Sequence, residues 1–311
     1  RGDVRAHALR LELHGAPAGE LLGIVGRVRR MFDLDADPQA IAAALGGDPH
    51  LRPLLRRRPG LRIPSGWDGF EMAVRAVVGQ QVGVPAARTV TARIAERFGE
   101  PLPRALAAHG FTRLFPTPQA LVDADLAGIG LTRARATTLR TIAAALLDGR
   151  VDFRAEATLD DFVARWSAPP GIGAWTAQYL ALRALGHPDA FPAEDLVLRQ
   201  ALPGDGSRLA ARALRERAQA WRPWRGYAVV HLWREAMATA HATRDGGART
   251  PPRARSRGGG HRASAPTAVA TARRGRPGAD AAAHAAHADR AAPPRRTART
   301  GARPDPQETA P

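Results

Sequence analysis

Residues 169–177, Pro169-Pro170-Gly171-Ile172-Gly173-Ala174-Trp175-Thr176-Ala177, are the stretch that decides the fold of this chain. Two glycines so close together permit a tight turn with positive φ, and the residues after them favour a helix. A helix that begins directly after such a turn exposes backbone N–H groups at its positive end. These groups can hold a phosphate, so the candidate binding residues are Gly171, Ile172, Gly173, Ala174 and Thr176.

The segment is typical of a helix-hairpin-helix, which binds a nucleic-acid backbone without identifying its sequence. An ordinary turn between two packed helices has the same pattern, so the turn alone leaves both interpretations open. The charge of the chain favours the first, because its 311 residues carry a formal net charge of +17. A strongly basic protein attracts polyanions by electrostatic steering and counterion release. A basic tail that only aids solubility is the alternative explanation.

Two missing residue types exclude whole classes of chemistry. The sequence has no cysteine, which excludes disulfides, thiolate zinc sites, iron–sulfur clusters and cysteine nucleophiles. All 46 basic residues are arginine, so no lysine amine can form a Schiff base. The ten histidines form no ligand pattern, and no metal site is predicted. No apolar run is long enough to span a membrane and no signal peptide is visible, so a cytoplasmic location is expected.

The pattern of apolar residues divides the chain into three predicted regions. Residues 1–63 are predicted to form a small, incomplete α+β domain, and residues 64–243 an all-α domain. From residue 244 onward the apolar periodicity is lost, and arginine, alanine, proline and glycine dominate. Such a segment cannot bury enough apolar surface to fold, so 244–311 is predicted to be a disordered basic tail. The predicted fold class is therefore mostly α.

Local signals predict the elements inside the first two regions. Residues 9–13 carry leucines that alternate with polar residues, which predicts a half-buried strand. Asp37-Pro38 and Asp48-Pro49 each predict a helix start with aspartate as the N-cap. In the second region, a helical apolar stripe is formed by Val74, Val77, Val78 and Val82. A second glycine turn follows at Gly128-Ile129-Gly130. A final aromatic-rich helix is predicted from Trp221, Trp224, Tyr227, Val230 and Trp233.

The acidic pair Glu194-Asp195 lies about twenty residues after the first glycine turn. A carboxylate at this distance can face the molecule whose phosphate the turn binds. Asp195 is predicted to begin a new helix, where aspartate is a common N-cap. Capping does not exclude catalysis, because the helix dipole favours an ionised carboxylate at this end. Neighbouring residues on a helix point about 100° apart, so only one of Glu194 and Asp195 can face a bound ligand.

Four motifs occur in the order and spacing of one known family. They are Gly79-Gln80-Gln81-Val82-Gly83-Val84, the turn at 169–177, Asp195, and Arg222-Pro223-Trp224-Arg225-Gly226-Tyr227-Ala228 with His231-Leu232-Trp233. On these motifs the chain resembles the AlkA-type 3-methyladenine DNA glycosylases of the helix-hairpin-helix superfamily. The resemblance covers about residues 64–240 well and the N-terminal region loosely.

The resemblance implies a mechanism. The target nucleotide is flipped out of the duplex, and its N-glycosidic bond then breaks through an oxocarbenium-like state. Asp195 matches the family's catalytic aspartate, which stabilises the positive sugar, and it is preferred to Glu194 on that ground. Trp175 and Tyr179, one helical turn apart, and Trp233 are expected to line the base pocket and stack on a cationic purine. Core packing is the alternative for each of these aromatic residues.

Gln80 and Gln81 match the family's loop that fills the gap left by the flipped nucleotide. The nearest family pattern has an apolar residue at the second position, where this chain has Gln81. Arg234 also stands where the family often has an aromatic residue, so the pocket shape and the substrate range are expected to differ. A monovalent cation held by hairpin carbonyls fits the family, and no other cofactor is expected.

The missing lysine decides the predicted type of enzyme. Bifunctional relatives form an imine with the sugar through a lysine and nick the strand, and this route is closed here. The prediction is a monomeric, monofunctional glycosylase that removes alkylated purines such as 3-methyladenine and 7-methylguanine from double-stranded DNA and so initiates base excision repair. The alternative is a non-catalytic helix-hairpin-helix module that binds DNA or senses lesions.

Overall fold

The computed structural model describes residues 2–3, 8–15, 17–107, 110–154, 158–202 and 208–246. All of them belong to one unit, Arg1–Pro251. The second unit, Pro252–Pro311, lies outside the described residues. The predicted tail therefore overlaps only the end of the last helix, which continues to Gly246, and the rest of it is not described.

Helices dominate the described part, as the sequence predicts. In chain order the elements are β1 (Gly2–Asp3), β2 (Ala8–Leu9), α1 (Leu21–Met31), α2 (Pro38–Leu45), α3 (Leu51–Arg57), α4 (Gly69–Val78), α5 (Val84–Phe98), α6 (Arg104–Ala107), α7 (Pro118–Val122), α8 (Arg133–Leu147), α9 (Leu159–Ser167), α10 (Ala174–Arg183), α11 (Leu196–Ala201), α12 (Ala211–Arg217) and α13 (Arg225–Gly246). Short 3₁₀ turns lie at Ala18–Glu20 and Ala218–Trp221.

The strand predicted over residues 9–13 is wrong beyond Leu9. β1 and β2 pair antiparallel over two residues each, with Gly2 opposite Leu9 and Asp3 opposite Ala8. Leu11 and Leu13 lie outside both strands and are exposed. A strand needs a partner along its whole length, and alternation alone does not supply one.

Both predicted aspartates accept backbone hydrogen bonds near a helix start, but only Asp37 is the N-cap residue, since α3 begins at Leu51 and its N-cap is His50. The Asp37 carboxylate accepts hydrogen bonds from the backbone N–H groups of Gln39 and Ala40, at the start of α2. Asp48 accepts from the N–H groups of His50 and Leu51, at the start of α3. These bonds satisfy N–H groups that have no partner inside the helix.

Helix α4 lies in the core and contacts α5, α8 and α10. Val74, Val77 and Val78 are buried, as the predicted stripe requires. Val82 departs from that stripe, because α4 ends at Val78 and Val82 is exposed in the following loop. The arrangement brings the loop after α4 close to the first turns of α8 and α10.

The predicted aromatic-rich helix begins later than expected. Trp221 ends a 3₁₀ turn and α13 starts only at Arg225, because Pro223 has no N–H to donate to a helix. A buried bidentate ion pair fixes this start: the Arg225 guanidinium donates to both oxygens of Asp189, at 2.7 and 2.8 Å. The pair joins α13 to the segment that leads into α11, and so it sets where Trp233 meets Asp195.

Candidate active site

The centre of the site is the carboxylate of Asp195. This residue is the N-cap of α11, and its Oδ1 accepts from the backbone N–H groups of Val197 and Leu198, both at 3.0 Å. The predicted capping role is therefore confirmed. The side chain is half-buried, so it is held by the helix start while one side of it is accessible.

Two indole groups also converge on this carboxylate. Trp175 Nε1 donates to Asp195 Oδ2 and Trp233 Nε1 donates to Asp195 Oδ1, each at 3.1 Å. The sequence predicts both residues as stacking surfaces and gives no sign of these bonds. With the two backbone donors, the carboxylate accepts four N–H groups, which fix its orientation.

The three predicted pocket aromatics form one cluster next to the carboxylate. The rings of Trp175 and Tyr179 stack with centroids 5.2 Å apart and planes 22° apart. Trp233 completes the cluster, with its ring centroid 6.2 Å from that of Tyr179. All three residues are half-buried: Tyr179 and Trp233 also pack against the core, and each side chain keeps part of its surface accessible. The cluster can stack on a planar, positively charged ligand.

Trp221 and Trp224, which precede α13, pack into or against the core. Trp221 is buried, and its indole N–H donates to Asp48 Oδ2 at 2.9 Å. Trp224 packs against the core and meets the ring of Tyr227 edge-on, with centroids 5.7 Å apart. Neither residue belongs to the cluster around Asp195.

Glu194 is engaged elsewhere. Its Oε1 forms an ion pair with Arg215 of α12. Both indole N–H groups of the cluster donate to Asp195 instead. The geometry therefore favours the same residue of the acidic pair that the resemblance favours.

The hairpin joins α9 to α10 and has the predicted glycine turn. Gly171 has a φ of +89°, and a Cβ on it would lie 2.0 Å from Thr138 Oγ1 of α8. Only glycine fits this position. Gly173 caps α10 without any side-chain hydrogen bond, and a Cβ on it would meet nothing within 4 Å. The first N–H groups of α10, from Ala174 onward, therefore begin beside open space.

Two residues of the predicted DNA-binding set face inward. The Ile172 side chain is buried and only 4% exposed, so it anchors the turn in the core. Thr176 is 2% exposed, and its Oγ1 accepts from Gln80 Nε2 at 3.2 Å. Their side chains pack beneath the hairpin and are not available to DNA. The prediction that these two residues bind DNA therefore applies only to their backbone groups.

Residues 79–83, which we call the probing loop, connect α4 to α5. Gln80 is partly buried and is bound on both sides: its side chain donates to Thr176, and its backbone carbonyl accepts from the Arg135 guanidinium. Gln81 is exposed and has a φ of +54°, in the left-handed region. Sequence reasoning missed Arg135, since nothing near it in the chain relates it to this loop.

The second glycine turn differs from the first. Gly128 and Gly130 both have positive φ, as their pattern suggests. However, Thr132 Oγ1 caps α8 by accepting from the backbone N–H of Arg135. Arginines of α5 also donate to the turn's carbonyls, for example Arg97 to Ala127 O at 2.8 Å. Backbone groups of this turn and of the helix that follows it are therefore already hydrogen-bonded within the protein.

The described residues hold neither a candidate membrane span nor a candidate metal cluster. No helix there is long and apolar enough to cross a membrane. Within the same residues, no three histidine or acidic side chains are grouped as a metal site requires. Two histidines of the C-terminal segment that are three residues apart, His284 and His287, lie outside the described part.

Comparison with known proteins identifies the family. A family model described as the AlkA N-terminal domain matches residues 1–68, and the model of the HhH-GPD superfamily base excision DNA repair proteins matches residues 74–225. DNA-3-methyladenine glycosylase 2 of Escherichia coli strain K12 is 35% identical over 236 residues, which cover 74% of this chain and 78% of that protein. The chain belongs to the AlkA family.

Two further proteins are similar to the chain. A probable bifunctional transcriptional activator/DNA repair enzyme AlkA of Mycobacterium tuberculosis is 42% identical over 215 residues, or 69% of this chain. The match spans 43% of the length of that relative. The solved 3-methyladenine DNA-glycosylase from Archaeoglobus fulgidus is 26% identical and superposes with a TM-score of 0.60, over 70% of this chain and 75% of its own.

Proposed function

We propose that this AlkA-family chain is a monofunctional DNA glycosylase that removes alkylated purines from duplex DNA. One observation carries the proposal: two aromatic residues of a half-buried cluster donate their indole N–H groups to Asp195. A stacking surface and a carboxylate in hydrogen-bond contact suit a nucleotide whose cationic base leaves as a neutral molecule while positive charge develops on the sugar.

The aromatic cluster supports a cationic base as the substrate. N-alkylation of adenine at N3 or guanine at N7 places a positive charge on the purine. The faces of Trp175, Tyr179 and Trp233 would attract that charge by about 0.5–2 kcal/mol each. The base leaves as a neutral molecule, so the site has to stabilise mainly the positive sugar.

Asp195 supplies that stabilisation. Among the residues that the structure describes, three N–H groups donate to its Oδ1, whereas Oδ2 accepts only the N–H of Trp175. Oδ2 therefore keeps lone-pair capacity for the sugar or for the attacking water. A fixed charge placed where opposite charge develops lowers a barrier by on the order of 3 kcal/mol.

The DNA-binding elements place the nucleotide at this carboxylate. The open first turn of α10 would hold a backbone phosphate, and Trp175 follows directly in the same turn. The probing loop would fill the gap in the duplex. Since the chain has no lysine to form an imine, water completes the reaction and an abasic site remains.

The alternative function is a module that binds lesions without reacting. It gives no reason for a carboxylate oriented by four N–H donors inside the aromatic cluster. It does predict tight binding to alkylated DNA without release of a base, so the two functions are separable by one assay.

The test is to incubate the protein with methylated duplex DNA and to identify the released bases by chromatography. We expect 3-methyladenine and 7-methylguanine in solution, and strand breaks only after alkali treatment. Release without alkali-labile sites, or strand breaks before alkali, would contradict a monofunctional glycosylase. No release despite binding would favour the lesion-sensing module.

A further inference from the structure

We propose that Arg135 is a positioning residue that holds the probing loop in its inserting conformation before DNA arrives. The inference rests on the proposed function and names a residue that neither the motifs nor the aromatic cluster includes. It follows from the strain in the loop, from the two bonds to Gln80, and from the helix that provides one of them.

The conformation of the loop needs external support. Gln81 has a φ of +54°, a region that is unfavourable for every residue with a Cβ. Its side chain is exposed and makes no hydrogen bond with any described residue, so it does not stabilise its own backbone. Such a conformation persists only where neighbouring groups fix it.

The loop is held at Gln80, the residue before Gln81, by two separate hydrogen bonds. The Arg135 guanidinium of α8 donates to the Gln80 backbone carbonyl, directly before the strained residue. The Gln80 side-chain amide donates to Thr176 Oγ1 of α10 at 3.2 Å. Of the two adjacent glutamines, Gln80 is therefore held from both sides, and only Gln81 projects from the loop.

Helix α8 also supports the hairpin. Thr138 lies three residues after Arg135, so the two side chains share one helix face. The Thr138 side chain is the surface against which Gly171 packs without a Cβ. One turn of α8 thus contacts both predicted DNA-binding elements, and it sets the spacing between the probing loop and the hairpin.

A loop that is ordered in advance loses less conformational freedom when it enters the duplex. If Arg135 has this role, its removal weakens the step in which the loop opens a base pair. The hairpin grip and the carboxylate chemistry are left intact. The defect should therefore depend on whether the target nucleotide is paired.

The experiment measures single-turnover excision by Arg135→Gln from two substrates that carry the same alkylated purine. In one the lesion is paired within duplex DNA, and in the other it lies in a short unpaired bubble. We expect a loss of about tenfold on the paired lesion and less than about twofold in the bubble, where opening the pair costs little. Fluorescence of a 2-aminopurine next to the lesion reports opening independently of excision.

Arg133→Gln is the matched control, because it removes the same charge two residues away on exposed α8 surface. We expect it to affect both substrates equally. Thr176→Val removes the second bond to Gln80 without changing the side-chain volume, and should repeat the paired-only defect more weakly. Arg135→Lys keeps one donor and should recover part of the rate.

Three results would overturn the proposal. An equal loss by Arg135→Gln on both substrates would place Arg135 in the chemistry or in phosphate binding. An equal loss by Arg133→Gln on the paired lesion would mean that charge alone matters. An unchanged rate with unchanged 2-aminopurine fluorescence would show that the loop needs no such support. If wild type released no base from either substrate, the proposed function would fail instead, and the fluorescence would still test the loop.

Discussion

Substitution of Gly171 by alanine should destabilise the protein through two effects that the structure separates. The residue has a φ of +89°, and an alanine there costs about 1–2 kcal/mol in backbone strain. The new Cβ would also lie 2.0 Å from Thr138 Oγ1 and 2.9 Å from Thr138 Cγ2, an overlap that typically costs about 1–3 kcal/mol. Together the free energy of unfolding should fall by roughly 2–5 kcal/mol.

Thermal denaturation followed by circular dichroism measures this loss, which corresponds to roughly 4–20 °C in melting temperature for a protein of this size. Gly173→Ala is the matched control, because its Cβ would meet nothing within 4 Å and its φ is ordinary. It should lose much less stability than Gly171→Ala, since only the N-cap preference for glycine over alanine is lost, and yet bind duplex DNA more weakly, because the methyl group stands before the first N–H groups of α10.

A second variant separates the strain from the overlap. Thr138→Ala removes both of the closest atoms, so combining it with Gly171→Ala should restore the packing part of the loss and leave the strain. A melting temperature of Gly171→Ala equal to that of wild type would refute this account of the turn. The account would also be refuted if the double variant lost as much stability as the two single variants lose together.

Three further predictions concern parts of the chain outside the hairpin. Tyr227→Phe removes the hydroxyl that donates to Asp33 Oδ2 at 2.9 Å, so urea denaturation should show a loss of about 1 kcal/mol; an unchanged midpoint would mean that this contact adds nothing. Burial lowers the pKa of His231 to about 4, below the ordinary 6.5 that it regains on unfolding, so stability should be complete above pH 6.5 and fall as the pH drops towards 4. Burial lowers the pKa of His187 in the same direction, so His231→Gln should reduce the difference in stability between pH 7.5 and 5 without abolishing it, and an unreduced difference would contradict the role of His231. Deleting residues 245–311, which carry 13 arginines against 5 acidic residues, should weaken duplex binding and flatten its salt dependence, whereas an unchanged slope would indicate a passive tail.

The parts of the site that depend on local sequence could be predicted. The Asp195 cap, the glycine turn and the shared face of Trp175 and Tyr179 follow from spacings of a few residues. These spacings act through helix geometry and backbone conformation, which neighbouring residues determine. The sequence therefore predicted this cap, this turn and this shared helix face, but not the hydrogen bonds that connect them.

The bonds that the sequence did not predict join residues far apart in the chain. The indoles of Trp175 and Trp233 reach Asp195 from 20 and 38 residues away, and Arg135 reaches Gln80 across 55. Such contacts depend on how helices pack, and no spacing rule encodes them. The failed strand at residues 9–13 has the same cause, since a strand depends on a distant partner.

The role of Asp195 is the central claim, and the rate of base release by Asp195→Asn in a single turnover tests it most directly. Asparagine is also a good N-cap, so the variant keeps the start of α11 while it removes the charge and the oxygen that accepts the Trp175 N–H. Glu194→Gln is the matched control, because it removes the neighbouring charge, which pairs with Arg215. We predict a loss of about a hundredfold or more for Asp195→Asn and less than about threefold for Glu194→Gln. Equal rates for the two variants, or a larger loss for Glu194→Gln, would contradict the account.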